Sequence, residues 1–322
     1  MAVGHELDAP WNVHDNPESD GQTVWARLTC GIRARPAPDK TVYPSQPRHT
    51  VVYAARRHAY TTVISGGDRY TPGVEALGRS LAQSGSVVPR LVLCTPDVSS
   101  AARARLTEQG WQVRPIEPVP SPDERQALFA RFARSFTKLR AFEVDDVDKL
   151  VLLDADTVVL RNVDDLFDRP AIAAAPDFFM PDRFNSGVMV IAPSPELFAR
   201  LTAALATLPS YDGGDQGFLN SFWPEWWSMP VEHRLPAAYN LHHFVFQFLA
   251  SHDSLRRQFL DQIRIVHYTL QKPWMSFTVT GGAQIWWDRY YGAHPEQAAG
   301  WRRRLHALQD WSFDSVVGAL GG

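Results

Sequence analysis

The stretch "KLVLLDADTVVLRN", residues 149–162, sets Asp154 and Asp156 behind an apolar run that resumes at once. On an extended chain residues two apart point to the same face, so these carboxylates face one way with only Ala155 between them. Like charges so placed repel unless something positive joins them, whether a metal ion, a basic side chain or a row of helix-end N–H groups. A solvated turn between two strands is the alternative. A second Asp-x-Asp pair, Asp146 and Asp148, offers an internal comparison, because it precedes "KLVLL" whereas Asp154 and Asp156 follow it. Open α/β sheets take ligands beyond the carboxyl ends of their strands, which favours the second pair as a site and leaves the first as solvated surface. His267 closes another apolar run, "IRIVH", and so falls at a strand end as well. Two carboxylates and one imidazole leave half an octahedral shell open. That donor mix suits Mn²⁺ better than Mg²⁺, and the open positions would accept diphosphate oxygens.

The elements that must position these groups read as alternating strands and helices. "AYTTVIS" (59–65) is a β-branched strand ending at Gly66 and Gly67, a pair without side chains that lets a nucleotide approach the backbone. "TPGVEALGRSLAQSG" (71–85) has Val74, Leu77 and Leu81 at helical spacing, Pro72 near its start and Gly85 after its end. "PRLVLCT", "VSSAARARLTEQG" and "WQVRPIE" continue as strand, helix and strand, which predicts a parallel sheet with helices packed on it. "PDERQALFARFARSFTKLRAFEV" reads as a helix leading into "KLVLL". "RNVDDLFD" opens a short helix capped by Asn162, with Asp165 among its free N–H groups. "FNSGVMVIAPSP" is a strand preceded by a turn and followed by a helix at 195–208. The glycines of "YDGGDQGFLNSFW" break regular structure, so its acids and amides lie on a loop or a helix start. Trp301, Leu305, Leu308 and Trp311 mark a helical docking face in the tail.

Composition narrows the classes. The chain has 322 residues, enough for one large domain with extensions or for two domains, and its net charge of −3 comes from well-mixed signs. Nucleic acid is thereby an unfavoured partner. Cys30 and Cys94 are the only cysteines and have no zinc spacing, so two idle thiols are expected. The N-terminal twenty residues are acidic and lack an apolar secretory core, and no window approaches the roughly 20 apolar residues of a spanning helix. A cytoplasmic protein without a transmembrane segment is expected. Neither G-x-G-x-x-G, a P-loop, G-x-S-x-G nor H-E-x-x-H occurs, which lowers dinucleotide, phosphate-loop and hydrolase readings.

From Ala59 to Tyr291 the chain resembles glycosyltransferase family 8, the group containing glycogenin and galactinol synthase. The resemblance rests on "GGDRYTPGVEALGRSL", "FTKLR", "VLLDADTVVLRNVDDLF", "FNSGVMV", "YDGGDQGFLNSF", "LPAAYNL" and "VHYTLQKPW", in the family's order. It implies a GT-A fold: a Rossmann-like, mostly parallel α/β sheet flanked by helices in a single domain. Residues 58–295 would form that domain, with an irregular extension at 1–57 and a helical tail at 296–322. It also implies a UDP-sugar donor, a divalent cation (usually Mn²⁺, alternatively Mg²⁺) and transfer that retains anomeric configuration.

Carried onto this chain, Asp154, Asp156 and His267 resemble the metal ligands, with Ala155 in the same turn, and Lys272 the diphosphate-binding lysine. Ile64, Ser65, Gly66 and Tyr70 fall where uracil and ribose are held. Lys138 and Arg131 resemble contacts to the donor's sugar or phosphate. Asn185, Ser186, Asp212, Asp215 and Gln216 correspond to residues that grip the hexose, with Asp215 or Gln216 facing the anomeric carbon. Retention without an evident carboxylate nucleophile suggests same-face attack, the leaving phosphate helping to take the acceptor's proton.

This chain departs from the family pattern in three places. "YTLQ" between His267 and Lys272 is one residue shorter than in glycogenin and lacks its glycine, Gly67 replaces an asparagine, and no tyrosine lies between Tyr239 and Tyr268 to serve as a self-glucosylation acceptor. The expected reaction is therefore hexose transfer from UDP-galactose or UDP-glucose to a separate cyclitol, polyol or sugar, as galactinol synthase does. A glycan- or protein-directed transferase and a catalytically idle UDP-sugar-binding protein are the rivals. The tryptophans at 223–227 and 286–287, with His242 and His243, are candidates for the acceptor wall or for core, and a homodimer stays open.

Overall fold

Strand β1 (His58–Ile64) is the expected β-branched run, and Gly66 and Gly67 after it stand at φ 80° and 82°, a left-handed backbone that glycine adopts at little cost. Residues 57–122, 132–269, 272–275 and 286 are described here from a computed structural model, all within the unit Tyr53–Gly322. Helix α1 (Thr71–Gln83) follows with Pro72 in its first turn, then β2 (Arg90–Cys94), α2 (Ser100–Glu108) and β3 (Gln112–Pro115). Ser99 caps α2, its Oγ accepting the Ala102 N–H at 3.1 Å. Strands β1, β2 and β3 pair in parallel, as the alternation of elements predicts.

Strand β4 (Lys149–Leu153) lies parallel to β1 on its other side, and β5 (Thr157–Val159) then leaves for a second sheet. Strands β6 (Ala173–Pro176) and β7 (Phe184–Ile191) are joined by residues 177–183, too short for a crossover, so they pair antiparallel, and β7 is antiparallel to β4 as well. Then come α3 (Pro195–Ala204), α4 (Asp215–Phe222), β8 (Leu241–His242), α5 (His243–Ser251), α6 (Asp253–Phe259) and β9 (Ile265–His267). The main sheet runs β3-β2-β1-β4-β7-β6, and the smaller one β5-β9-β8. The sheet is thus parallel from β3 to β4 and antiparallel beyond.

Two hydrophobic cores lie on opposite faces of the main sheet. Val92, Val151 and Leu153 join Val74 and Leu77 of α1 in one core, while Leu91, Leu93, Leu150 and Leu152 join Phe136, Leu201 of α3 and Phe218 of α4 in the other. Burial on both faces explains why these strands read as continuous apolar runs instead of alternating. Each such side chain contributes about 1.5–3 kcal/mol on burial, so the sheet can hold a cluster of like charges at its edge.

Several expectations change here. The segment Phe132–Glu143 winds as 3-10 turns, not as an α-helix. In that winding residues three apart eclipse, which brings Ser135 and Lys138 together onto the face that lines the cleft. The start of that segment, with Arg131, lies outside the described residues, as do the extension up to residue 56, Trp287 and the tail. Trp226 and Trp286 are core residues, the first edge-on to Phe184 at 5.4 Å and the second stacked on Trp274 at 5.0 Å. They cannot form an acceptor wall. Cys94 is buried, which pushes its thiol up to about 11 and keeps it inert. Among the described residues no helix is long and apolar enough to cross a membrane.

Candidate active site

Strands β1, β4 and β6 end, and the antiparallel β7 begins, along one edge of the main sheet, and a cleft of about 540 Å³ opens there. The Asp154–Asp156 pair is not part of an extended strand, as its spacing suggests, but a turn between two sheets. Asp154 N–H donates to the Gly187 carbonyl of β7 at 2.8 Å, and Tyr268 N–H donates to the Asp156 carbonyl at 2.9 Å. Pinned from both sides, the two carboxylates still converge. Asp154, Asp156 and His267 each offer a ligand atom, all within 4.8 Å of one another. His267 Nε2 stands 3.2 Å from Asp156 Oδ1 and 3.7 Å from Asp154 Oδ2. Its Nδ1 lies 2.8 Å from Asn240 Oδ1, an acceptor, so the proton belongs on Nδ1 and Nε2 turns a lone pair toward two carboxylates. A cation satisfies that arrangement, and the trio fits a divalent metal.

Two lysines close the cluster. Lys138 Nζ bridges Asp154 Oδ1 and Asp215 Oδ2, both at 2.8 Å, and reaches Ser186 Oγ at 3.1 Å. Lys272 Nζ contacts Asp156 Oδ2 closely and donates to the carbonyls of Tyr268 and Thr269 at 2.7 Å. Burial alone would depress the Lys138 ammonium, but the two carboxylates hold it above its ordinary range. Burial raises Asp154, with Asp156 and Asp215 adding to the push against Lys138. Burial also opposes ionisation of Asp156, yet Lys272 and His267 hold it below the usual carboxylate range. The other pair, Asp146 and Asp148, bonds Arg114 and Arg57 on the surface, as its position at the amino end predicts.

The remaining candidates distribute unevenly. Ser65, Gly66, Tyr70, Ala155, Asn185, Ser186, Asp212, Asp215 and Gln216 line the cleft. Ile64 does not: its side chain is fully buried in the core and its carbonyl accepts the Thr95 N–H at 3.1 Å. Asp212 lines the cleft but spends Oδ1 on capping α4, accepting from Gly214 N, Gly217 N and Ser210 Oγ at 2.8–3.0 Å. Sequence reasoning missed Asp177, Asn240, Arg134 and Phe179. Asp177 was readable by the same rule that favours Asp154, since it follows the carboxyl end of β6.

Two small residues set the spacing. A Cβ on Gly73 would stand 2.2 Å from the Ala155 carbonyl, so glycine there lets α1 press against the Asp154–Asp156 turn. A Cβ on Gly187 would stand 2.2 Å from His267 Cε1 and 2.6 Å from Nδ1. Gly187→Ala is expected to displace the imidazole and weaken Mn²⁺ binding by about ten-fold or more. Calorimetric titration with Mn²⁺ checks this, and unchanged affinity would show that the ring moves without loss.

His242 and His243 flank the trio. Burial, reinforced by the neighbouring His267 for one and by the charge of Lys272 for the other, depresses both to about 4 from 6.5. Between those values the unfolded imidazoles bind protons that the folded ones refuse. Stability is therefore present above pH 6.5 and lost as pH falls toward 4, by up to about 3 kcal/mol for each histidine. Asp154, held above the usual carboxylate range, opposes part of this loss, because its folded carboxyl takes a proton before the unfolded one does. Urea unfolding at pH 7 and pH 4.5 should show the loss, and His242→Asn should remove about half of it, leaving the share of His243; an unaltered slope in the variant would refute the assignment.

A model of the family described as "Glycosyl transferase family 8" matches residues 61–175. Over 237 residues the chain is 37% identical to glycogenin-1 of Caenorhabditis elegans, covering 72% of this chain and 54% of that protein. It is 33% identical to UDP-glucuronate:xylan alpha-glucuronosyltransferase 1 of Arabidopsis thaliana over 230 residues, 69% of this chain and 33% of that one. The chain thus spans about half or less of the length of these relatives. In fold it matches the galactosyltransferase LgtC, solved with donor and acceptor sugar analogs, at a TM-score of 0.52 and 17% identity over 73% of this chain and 95% of that one. The sheet is therefore of the GT-A type. With the matched segment running through the Asp154–Asp156 turn and relatives at 33–37% identity aligned over most of its length, the chain belongs to glycosyltransferase family 8.

Proposed function

We propose that this chain is a Mn²⁺-dependent, retaining hexosyltransferase that takes galactose or glucose from a UDP-sugar and passes it to a hydroxyl of a small cyclitol, polyol or sugar. The observation that carries the reading is the convergence of Asp154, Asp156 and His267 beside two lysines in one cleft. Asp154, Asp156 and His267 would hold the divalent ion. When bound, that ion supplies charge stabilisation to the departing diphosphate. Lys272 adds an ammonium on the same side, stabilising the transition state more than the ground state. Ser65, Gly66 and Tyr70 would seat the nucleoside.

Asp215 and Gln216 would face the hexose. Asp215 Oδ2 accepts from both Lys138 and Ser186 Oγ, at 2.8 Å each, which ties up its charge and makes it a poor nucleophile. That favours same-face attack over a covalent glycosyl-enzyme. Gln216 Oε1 accepts the Ser186 N–H at 3.3 Å while its Nε2 reaches Tyr211 OH at 3.0 Å, so the amide is held rigidly. For the acceptor, Phe179 and His242 line the cleft, and Phe178 and Phe244 pack with them at 5.2–6.4 Å. Phe178 and Phe179 are exposed aromatic faces at its rim, suited to the apolar side of a sugar or cyclitol ring.

The test is UDP release from UDP-galactose, UDP-glucose and UDP-glucuronate with a panel of cyclitol and sugar acceptors. Release is expected with Mn²⁺ and should vanish on chelation and return on re-addition. Tight UDP binding without release from any donor and acceptor would replace this reading with that of an idle binding protein.

A further inference from the structure

Asn240 is buried behind the cleft wall, between His267 and Asn185. Four side chains form one line of hydrogen bonds there: Asp177, Asn185, Asn240 and His267. We infer that Asn240 is a positioning residue that fixes His267 with its proton on Nδ1 and its bare Nε2 toward Asp154 and Asp156. The inference rests on the metal reading of that trio.

The polarity of the line follows from its fixed end. The Gly187 N–H can only donate, and its partner is Asn185 Oδ1 at 3.0 Å. At the other end of the same amide, Asn185 Nδ2 meets Asp177 Oδ2 at 3.1 Å. Asp177 is held by the backbone, its Oδ1 accepting from Phe179 N at 2.9 Å and Met180 N at 3.2 Å. An acceptor-only group and a donor-only group thus orient Asn185 from both sides. Its Oδ1 then faces Asn240, which must present Nδ2, at 2.8 Å. Asn240 is left with Oδ1 toward His267 Nδ1, also at 2.8 Å, and only an N–H on that ring nitrogen completes the bond.

The consequence is a preorganised ligand. An imidazole free to exchange tautomers would present an N–H toward the metal position in part of its population, and a ring free to rotate would miss it in part. Asp177 extends the same control to the sugar side, because its Oδ2 also accepts Gln216 Nε2 at 3.2 Å. One backbone-anchored carboxylate therefore orients a metal ligand through two amides and a cleft amide directly.

The experiment measures Mn²⁺ binding by electron paramagnetic resonance of the free ion, without turnover. Asn240→Leu keeps the volume and removes the acceptor, and it is expected to weaken Mn²⁺ by about 10–100-fold while lowering the metal-free melting temperature by only a few degrees. Asn240→Asp keeps an acceptor facing Nδ1 at the cost of the bond to Asn185, and should lose clearly less Mn²⁺ affinity than the leucine variant. Equal losses in both variants, or none in either, overturn the inference. Nitrogen NMR of the unaltered protein with diamagnetic Zn²⁺ gives a second readout that needs no variant. A protonated Nδ1 on His267 is expected, and a protonated Nε2 refutes the assignment. A parent protein that binds no Mn²⁺ at all would instead sink the metal reading itself.

Discussion

Asp156→Asn is expected to lower turnover by on the order of 10³-fold, about 4 kcal/mol of transition-state stabilisation, with little loss of fold. The change keeps the shape and leaves an oxygen for Lys272, which also bonds two backbone carbonyls and so is not stranded. What disappears is one of the two negative charges that would hold a divalent ion in the proposed site. The assay is UDP release at saturating donor, with Mn²⁺ raised until the rate no longer changes. A variant whose turnover recovers fully at high Mn²⁺ would show that Asp156 serves affinity alone. Full turnover at ordinary Mn²⁺ would remove Asp156 from the metal site.

Lys138→Met is expected to lower stability by about 3–5 kcal/mol in the absence of metal. The ammonium sits 2.8 Å from both Asp154 and Asp215, and its side chain is 11% exposed, so solvent screens the pair only slightly. Methionine fills the space but leaves two carboxylates facing each other without a counter-charge. A divalent ion should restore part of the loss, because it neutralises Asp154 from the other side. Urea unfolding with and without Mn²⁺ reads both effects. A loss below about 1 kcal/mol would place Lys138 among ordinary solvated lysines.

Much of this was legible because the signals are local. The runs of β2 and β4 are continuously apolar and β1 is a β-branched run, as strands buried on both faces are, and Asp154, Asp156 and His267 stand where apolar runs stop. The antiparallel half was hidden, since β7 owes its direction to the short link after β6 and not to its own composition. The 3-10 winding of Phe132–Glu143 was hidden too: its residues have helical spacing, and the tighter turn serves contacts to β7 and α4 that lie far off in sequence, such as Ser135 Oγ accepting the Asp215 N–H at 2.9 Å. The tryptophan pairs stayed ambiguous for the reverse reason. A large ring signals burial or binding alike, and only packing shows Trp226 against Phe184 and Trp286 against Trp274. Asn240 acts through another side chain, so no spacing along the chain reveals it, whereas Asp177, directly after β6, obeys the strand-end rule and was overlooked.

The link between β6 and β7 is closed at its base by Asp177 N–H donating to the Arg183 carbonyl at 2.8 Å. Above that clasp the Phe179 and Met180 N–H groups still hold Asp177, so the backbone of the tip is tied to the site while the aromatic side chains of Phe178 and Phe179 stand exposed. Evolution can therefore repaint the side chains of this tip like a veneer while its backbone, and the chemistry beneath, stays in register.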